Sequence, residues 1–276
     1  KNNQEDVFSL QQSVNDGAQG ANGNYGDVLN FPYGGGPGGC CGFYQPSQSL
    51  VNSYRVDVNG LPFLDTWNDV DVKNDMGIAS DKPFTPETAP LDPRLDLTVG
   101  RRGIPYLDWG NHPGASWIRD QNNGGPYSPK KNVYFKSQEG SLTDASFWTK
   151  GVTANNYVFI RFSDVLLWAA ECEVEASGGS LDRAKEYVNR VRSRMKNHPE
   201  AWVHKYVDDN DPSRGFSSEL AANYSIGLYS SFPDPDYARK AIRFERKLEL
   251  AMEGHRFFDL QRYDNGTGYM ANVLNA

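Results

Sequence analysis

Near Asn156 the chain changes character, and no other feature constrains its fold as strongly. Upstream, short apolar runs are broken by Gly, Pro, Asn and Asp; downstream, the apolar residues fall into helical step. Ser163 can cap a helix whose Val165, Ala169, Cys172 and Ala176 recur at four, three and four residues, a single apolar stripe that Gly178-Gly179 brings to an end. Ser180 can cap a second, along which Leu181, Ala184, Val188, Val191 and Met195 recur at three, four, three and four. The short turn between them makes the pair antiparallel and packed face to face. A third helix starts at Asp234-Pro235, with Pro in the first helical position where its missing N–H leaves no bond unmade, and carries Ala241, Phe244, Leu248 and Ala251 on one face. Gly254 marks its kink or end, and Phe257, Phe258 and Leu260 continue the apolar surface.

Ahead of the boundary, Asp6 to Gln12 alternates like a strand, Lys131 to Lys136 suits another, and Gln48 to Tyr54 suits a short helix. The rest reads as turns and ordered loops. A compact domain seldom tolerates so long a stretch without support, so these loops must be pinned onto something else. The fold expected is mainly α: a tetratricopeptide-type helical hairpin scaffold covered by long ordered loops with a few short strands. Residues 1–156 form its loop-rich, ligand-binding part and residues 157–276 the helical scaffold, together one structural unit. A lone hairpin cannot bury both faces, and no second copy recurs at a period near 34 residues. Its missing neighbours are expected upstream of Lys1.

A net charge of −7, and no basic run beyond the pairs Arg101-Arg102 and Lys130-Lys131, exclude the electrostatic footprint of a nucleic-acid binder. No run approaches the roughly 18 apolar residues of a membrane helix. Cys40 and Cys41 are neighbours whose Cα atoms, about 3.8 Å apart, sit too close for ordinary bridge geometry, so the redox compartment stays open. Gly39-Cys40 lacks the preceding apolar stretch of a lipoprotein cleavage site.

Catalytic and metal motifs are thin. His112, His198, His204 and His255 have no paired ligand spacing. Asp69 to Asp75 begins like a calcium loop, but Lys73 takes a ligand position and Asn74 the turn glycine. The run Asp208 to Asp211 has oxygens enough for calcium, though such runs ordinarily make turns. No cofactor is expected, and calcium only as a weakly supported structural ion. Gly34 to Gly39 lacks the lysine and helix of a phosphate loop and reads as a free loop that lets aromatic neighbours approach a ligand. The ladder Arg246, Glu249, Glu253, Arg256, Asp259, Arg262 steps by three or four residues. Glu249 and Glu253 have the spacing of an acid/base couple, yet each has an Arg within a turn that favours the ionised form, so the ladder reads as salt bridging.

The aromatic content, 6 Trp, 15 Tyr and 14 Phe, exceeds what so modest a core needs. A sugar has an apolar C–H face and a rim of hydroxyls, which flat rings and fixed polar groups match. Two loop clusters suit it. Tyr33, Phe43 and Tyr44 surround the glycine run, with Trp67 after it; Trp109, Trp117 and Tyr127 lie near Arg101, Arg102, Asn111, Arg119 and Asp120. Trp67, Trp109 and Trp117 are the foremost ligand candidates, followed by Tyr33, Tyr44, Arg101, Arg102 and Asn111. The competing reading for any one ring is the small core of a long loop.

Three blocks in order carry a resemblance: Arg161-Phe-Ser-Asp-Val-Leu-Leu-Trp-Ala-Ala-Glu171, Ala184-Lys-Glu-Tyr-Val-Asn-Arg-Val-Arg192, and Arg243-Phe-Glu-Arg-Lys-Leu-Glu-Leu-Ala-Met-Glu-Gly-His-Arg-Phe-Phe-Asp-Leu-Gln-Arg262. They resemble the SusD/RagB family, as do Val7-Phe-Ser-Leu-Gln11, Gly42 to Val51 and Leu91 to Thr98 ahead of them. The resemblance implies a nutrient-binding lipoprotein on the extracellular face of the outer membrane of Bacteroidetes-type bacteria. It implies non-catalytic capture of a glycan and a SusC-like TonB-dependent porin as partner. Members are about twice this length, so the chain reads as a C-terminal portion, attached to the membrane only through a lipid anchor absent from it. Relatives of RagB type capture peptides, and Arg101, Arg102 and Arg119 would then read carboxylates. A glycan-degrading enzyme is the third reading.

Overall fold

The structure, a computed structural model, describes residues 4–18, 22–25, 32–37, 39, 41–144, 146 and 151–275. In chain order its elements are β1 (Asp6–Leu10), α1 (Gln48–Asn52), α2 (Arg94–Thr98), β2 (Val99–Gly100), α3 (Gln121–Gly124), β3 (Ser128–Pro129) and β4 (Tyr157–Arg161). Then follow α4 (Phe162–Glu175), α5 (Leu181–Lys196), β5 (His204–Tyr206), β6 (Phe216–Leu220), α6 (Pro235–Glu249), α7 (His255–Asp264) and α8 (Tyr269–Leu274). The mainly helical fold is as expected.

Helices α4 and α5 form the hairpin, and α6 packs against both. Leu166, Leu167 and Ala170 of α4 meet Ala184, Val188 and Val191 of α5 and Ala238, Ala241 and Ile242 of α6, with Tyr229 and Phe232 closing the cluster. Ser180 Oγ accepts the Arg183 N–H, and the Asp234 carboxylate accepts that of Tyr237, so two of the three expected caps are present. The third is not. Arg161 occupies the cap position of α4 in an extended conformation, and Ser163 lies inside the helix, its Oγ accepting from Arg161 Nη1 at 2.7 Å. The α4 stripe also differs from the expected one: Val165 and Ala169 are half-buried, while Cys172 and Ala176 are exposed. Its buried face centres on the bulkier Leu166-Leu167 pair, which packs against α5 and α6, and spacing alone cannot weigh volume.

After Glu249 the chain turns through residues 250–254, and Gly254, at φ +86°, starts α7 in a left-handed conformation suited to glycine. The charge ladder therefore spans two helices. Leu260 is buried, but Phe257 and Phe258 are exposed, at 54% and 67%.

A second core joins the loops to the helices. Val51, Tyr54, Leu91, Leu95 and Val99 pack with Phe244, Leu248 and Ala251 of the α6 region, and the Tyr54 hydroxyl donates to the Leu248 carbonyl at 2.9 Å. Strand β1 pairs antiparallel with β4, directly ahead of α4, β2 pairs with β3, and β5 with β6. The strand expected over Lys131 to Lys136 is absent; a turn there leads into a short 3-10 helix at Lys136–Gln138. Buried amines direct this backbone, since Lys130 Nζ donates to the carbonyls of Asp96 (2.5 Å) and Pro105 (2.7 Å). Cys41 is disulfide-bonded and Cys172 is free, while Cys40 lies outside the described residues. Among the described residues, no helix is long and apolar enough to cross a membrane.

Candidate ligand-binding surface

The carboxylates that most resemble a catalytic pair are bound up in bracing. Arg161 Nη1 donates to Glu249 at 3.0 Å and its Nε to Glu253 at 2.8 Å, Arg194 meets Glu249 at 2.5 Å, and Lys131 Nζ meets Glu253 at 2.5 Å. Arg94 bridges Asp92, Glu245 and Glu249, and Arg192 shares Glu245 while donating to the carbonyls of Gly60 and Gly227. Burial alone would raise both carboxyls, but the surrounding cations hold Glu249 and Glu253 below the usual carboxylate range. Neither is poised to give up a proton to a leaving group.

The fold regroups the aromatic loops. Gly34, at φ +75°, turns the chain so tightly that a Cβ there would lie 2.6 Å from the Ser116 carbonyl oxygen, and the Tyr33 N–H donates to the Trp117 carbonyl at 2.9 Å. A Cβ on Gly42 would meet Tyr33 at 3.1 Å and Arg119 at 3.3 Å. Tyr33 thus joins Trp117 and the exposed Arg119, from the other expected cluster. The Trp117 ring is fixed edge-on against Tyr106 (5.5 Å) and His112 (5.2 Å). His112 Nδ1 accepts from Gly114 N and its Nε2 faces Ser128 Oγ at 2.8 Å; burial, with Lys130 and Arg102 nearby, pushes its pKa down to about 3, so the ring is neutral.

Other candidates go elsewhere. Tyr44 is 47% exposed but faces the Glu253–Gly254 corner and Tyr157, and burial of its hydroxyl raises its pKa. Trp67 packs against Phe244, with the Lys247 ammonium 3.2 Å from its ring centroid. Arg101 is buried and gives both Nε and Nη2 to Asp96, at 2.6 and 2.8 Å. Arg102 is buried too, and donates to the carbonyls of Ile78, Ser80 and Lys82. Tyr127 is core. Trp109 donates to the Tyr134 carbonyl at 3.0 Å, and in the same loop Asn111 holds its Oδ1 away from solvent without a hydrogen-bond partner. Asp71 accepts from Asn52, and Asp208 from Arg214. Among the described residues no three His, Cys, Asp or Glu side chains converge as metal ligands.

Beside the Trp109 loop lies a cleft of about 560 Å³ that sequence reasoning missed. Leu97, Leu107, Trp202 and Val203 line it, together with Phe135 and Phe216, which are 40% and 47% exposed. Trp202 Nε1 donates to the Met195 carbonyl at 2.9 Å, which fixes the ring; Phe216 stacks on Tyr206, 5.1 Å away and tilted by 21°. Tyr206 in turn donates to the Leu107 carbonyl at 2.6 Å and accepts from Gly110 N at 3.1 Å, tying the β5–β6 hairpin to the loop that carries Trp109. His204, Ser217 and Ser218 supply polar groups. An aromatic-rich hairpin around the Asp208–Gly215 turn is the signal that would have found it.

A helical hairpin locked by buried ion pairs, carrying loops that present rings around a largely apolar cleft, makes a mainly helical scaffold of tetratricopeptide type. The chain belongs to the SusD family, whose sequence pattern matches residues 4–274. SusD-like proteins P2 and P25 of Formosa agariphila are 35% identical over 114 residues and 34% identical over 110, which is 41% and 40% of this chain but 18% and 16% of theirs. The chain also aligns over its whole length with 42% of a SusD superfamily protein from Bacteroides vulgatus (17% identity, TM-score 0.49) and 44% of a laminarin-binding SusD-like protein (18%, 0.46).

Proposed function

We propose that this chain captures carbohydrate at the bacterial cell surface without transforming it, for uptake through a SusC-like TonB-dependent transporter, with a lipid anchor of the longer protein holding it to the outer membrane. Family membership supports this, since SusD-like proteins are generally non-catalytic carbohydrate-binding proteins. The observation that carries the reading is the cleft beside Trp109, where immobilised rings face a sugar-sized space with polar groups at hand. Stacking on the rings supplies affinity, and hydrogen bonds to hydroxyls supply orientation.

The peptide reading loses two of its three arginines to internal partners, leaving Arg119 exposed. Calorimetric titration against glycan and peptide panels, with product analysis on any binder, separates the readings. Carbohydrate binding is expected, with no product formed. Trp202→Ala is expected to weaken it about tenfold, the equivalent of about 1.4 kcal/mol. Glycan cleavage lost in Glu253→Gln would sink the proposal, and peptide binding alone would sink its ligand.

A further inference from the structure

Between the Leu64–Trp67 turn, one face of α6 and helix α8 lies a second pocket, of about 290 Å³. Lys240, Arg243, Lys247 and Arg256 line it against one carboxylate, Asp65, which Lys240 Nζ already holds at 2.6 Å. Elsewhere the chain gives its buried guanidinium groups partners. Arg94 and Arg192 share Glu245, Arg161 holds Glu249, and Arg246 lies between Asp164 and Asp259.

Here the three remaining cations meet aromatic side chains instead. Lys247 Nζ stands 3.2 Å from the Trp67 centroid and 5.5 Å from that of Phe244. The Arg243 guanidinium lies 4.2 Å from the centroid of Tyr263 and 5.1 Å from that of Tyr269. Arg256 keeps Nη1 shielded from solvent with no hydrogen-bond partner. Among the described residues no carboxylate lies within salt-bridge distance of any of the three, and Asp259 near Arg256 and Glu175 near Arg243 act only from farther off while paired to Arg246 and Arg239. A ring face compensates only part of the hydration such a cation loses, so the pocket favours an incoming anion.

We infer that this pocket binds the acidic substituent of a saccharide, a sulfate ester or a uronate carboxylate. Arg243 and Arg256 offer forked donors that match either group, and Lys247 adds a point charge. The Tyr269 ring and the Asn272 amide are at hand for the sugar itself. The saccharide part rests on the carbohydrate reading above, whereas the anion site stands on its own geometry. Burial and the neighbouring Arg256 push the Lys247 ammonium down to about 6, so near neutral pH Lys247 takes up its proton as the anion binds and supplies its point charge only then.

The test titrates the full-length chain with cellotetraose, a sulfated carrageenan tetrasaccharide, an alginate tetrasaccharide and inorganic sulfate. At least one acidic tetrasaccharide is expected to bind tenfold or more tighter than cellotetraose, and to weaken as salt rises. Which of the two it is identifies the group. Lys247→Met, which keeps an apolar chain on Trp67, and Arg256→Gln should each abolish that preference while thermal unfolding confirms the fold. Cellotetraose binding as tightly as both acidic sugars, or a preference that survives both pocket variants, overturns this inference and spares the carbohydrate reading. Inorganic sulfate binding in a Lys247-dependent manner with no tetrasaccharide bound overturns the saccharide assignment and the carbohydrate reading together.

Discussion

Lys247 and Glu249 stand two positions apart on α6, and their surroundings move their proton affinities in ways stability measurements can read. Burial lowers Lys247 from 10.5 to about 6, so between those values the unfolded chain holds a proton that the folded chain lacks, and folding stability rises with pH. Denaturant titrations from pH 6 to 9 should show a steeper rise for the native chain than for Lys247→Met; equal slopes would contradict this assignment. Glu249 is the opposite case, an acid whose folded affinity for protons is lowered by Arg161, Arg194 and Arg94 despite burial. Its contribution is complete above the unfolded carboxylate value and is lost as pH falls through the lower folded one. Glu249→Gln leaves buried cations unmatched and is expected to cost about 3–5 kcal/mol at neutral pH and to flatten the acid limb of the stability profile. Arg101 and Arg102 show the limit of reading residues singly. Their adjacency suggested a polar ligand partner, but nothing in the sequence announces that Asp96, or three backbone carbonyls, would claim them.

For single helices, legibility depended on where bulk and charge fall around the helix, since α4 and α5 each meet the other and α6. Helix α5 buries four of the five residues of the stripe that spacing predicts, Ala184, Val188, Val191 and Met195, and leaves Leu181 at its start half-buried. Helix α4 buries Leu166, Leu167 and Ala170 and exposes Cys172. Leu167→Ala is therefore expected to lower stability by about 2–5 kcal/mol and Cys172→Ala by less than about 0.5 kcal/mol, as read by chemical denaturation. A larger loss for the cysteine variant would restore the simpler stripe. The three caps follow the same logic. Ser180 and Asp234 stand at the mouths of helices that solvent reaches, while Ser163 is drawn inside by Arg161, a residue whose importance comes from contacts nearly 90 positions away in the chain.

At the scale of the whole chain, the scaffold was the legible part, because helical periodicity is local. The proposed binding surface was not, because its rings come from segments that only tertiary packing brings together. Trp109 and Asn111 sit in one loop as expected, but the cleft beside that loop is lined by Leu107 with Phe135, Trp202 and Phe216, the three rings spread over more than 80 positions. Tyr33 and Trp117, assigned to separate clusters by sequence distance, touch through a backbone hydrogen bond.

The shared core in which Tyr54 reaches Leu248 has a further meaning for recognition. Loops tied into the same hydrophobic interior as the helices are already ordered when a ligand arrives, so little entropy is left to lose on association. Selectivity in such a surface comes from shape and charge set in advance, as in a mould, and not from a clasp that forms around whatever it meets.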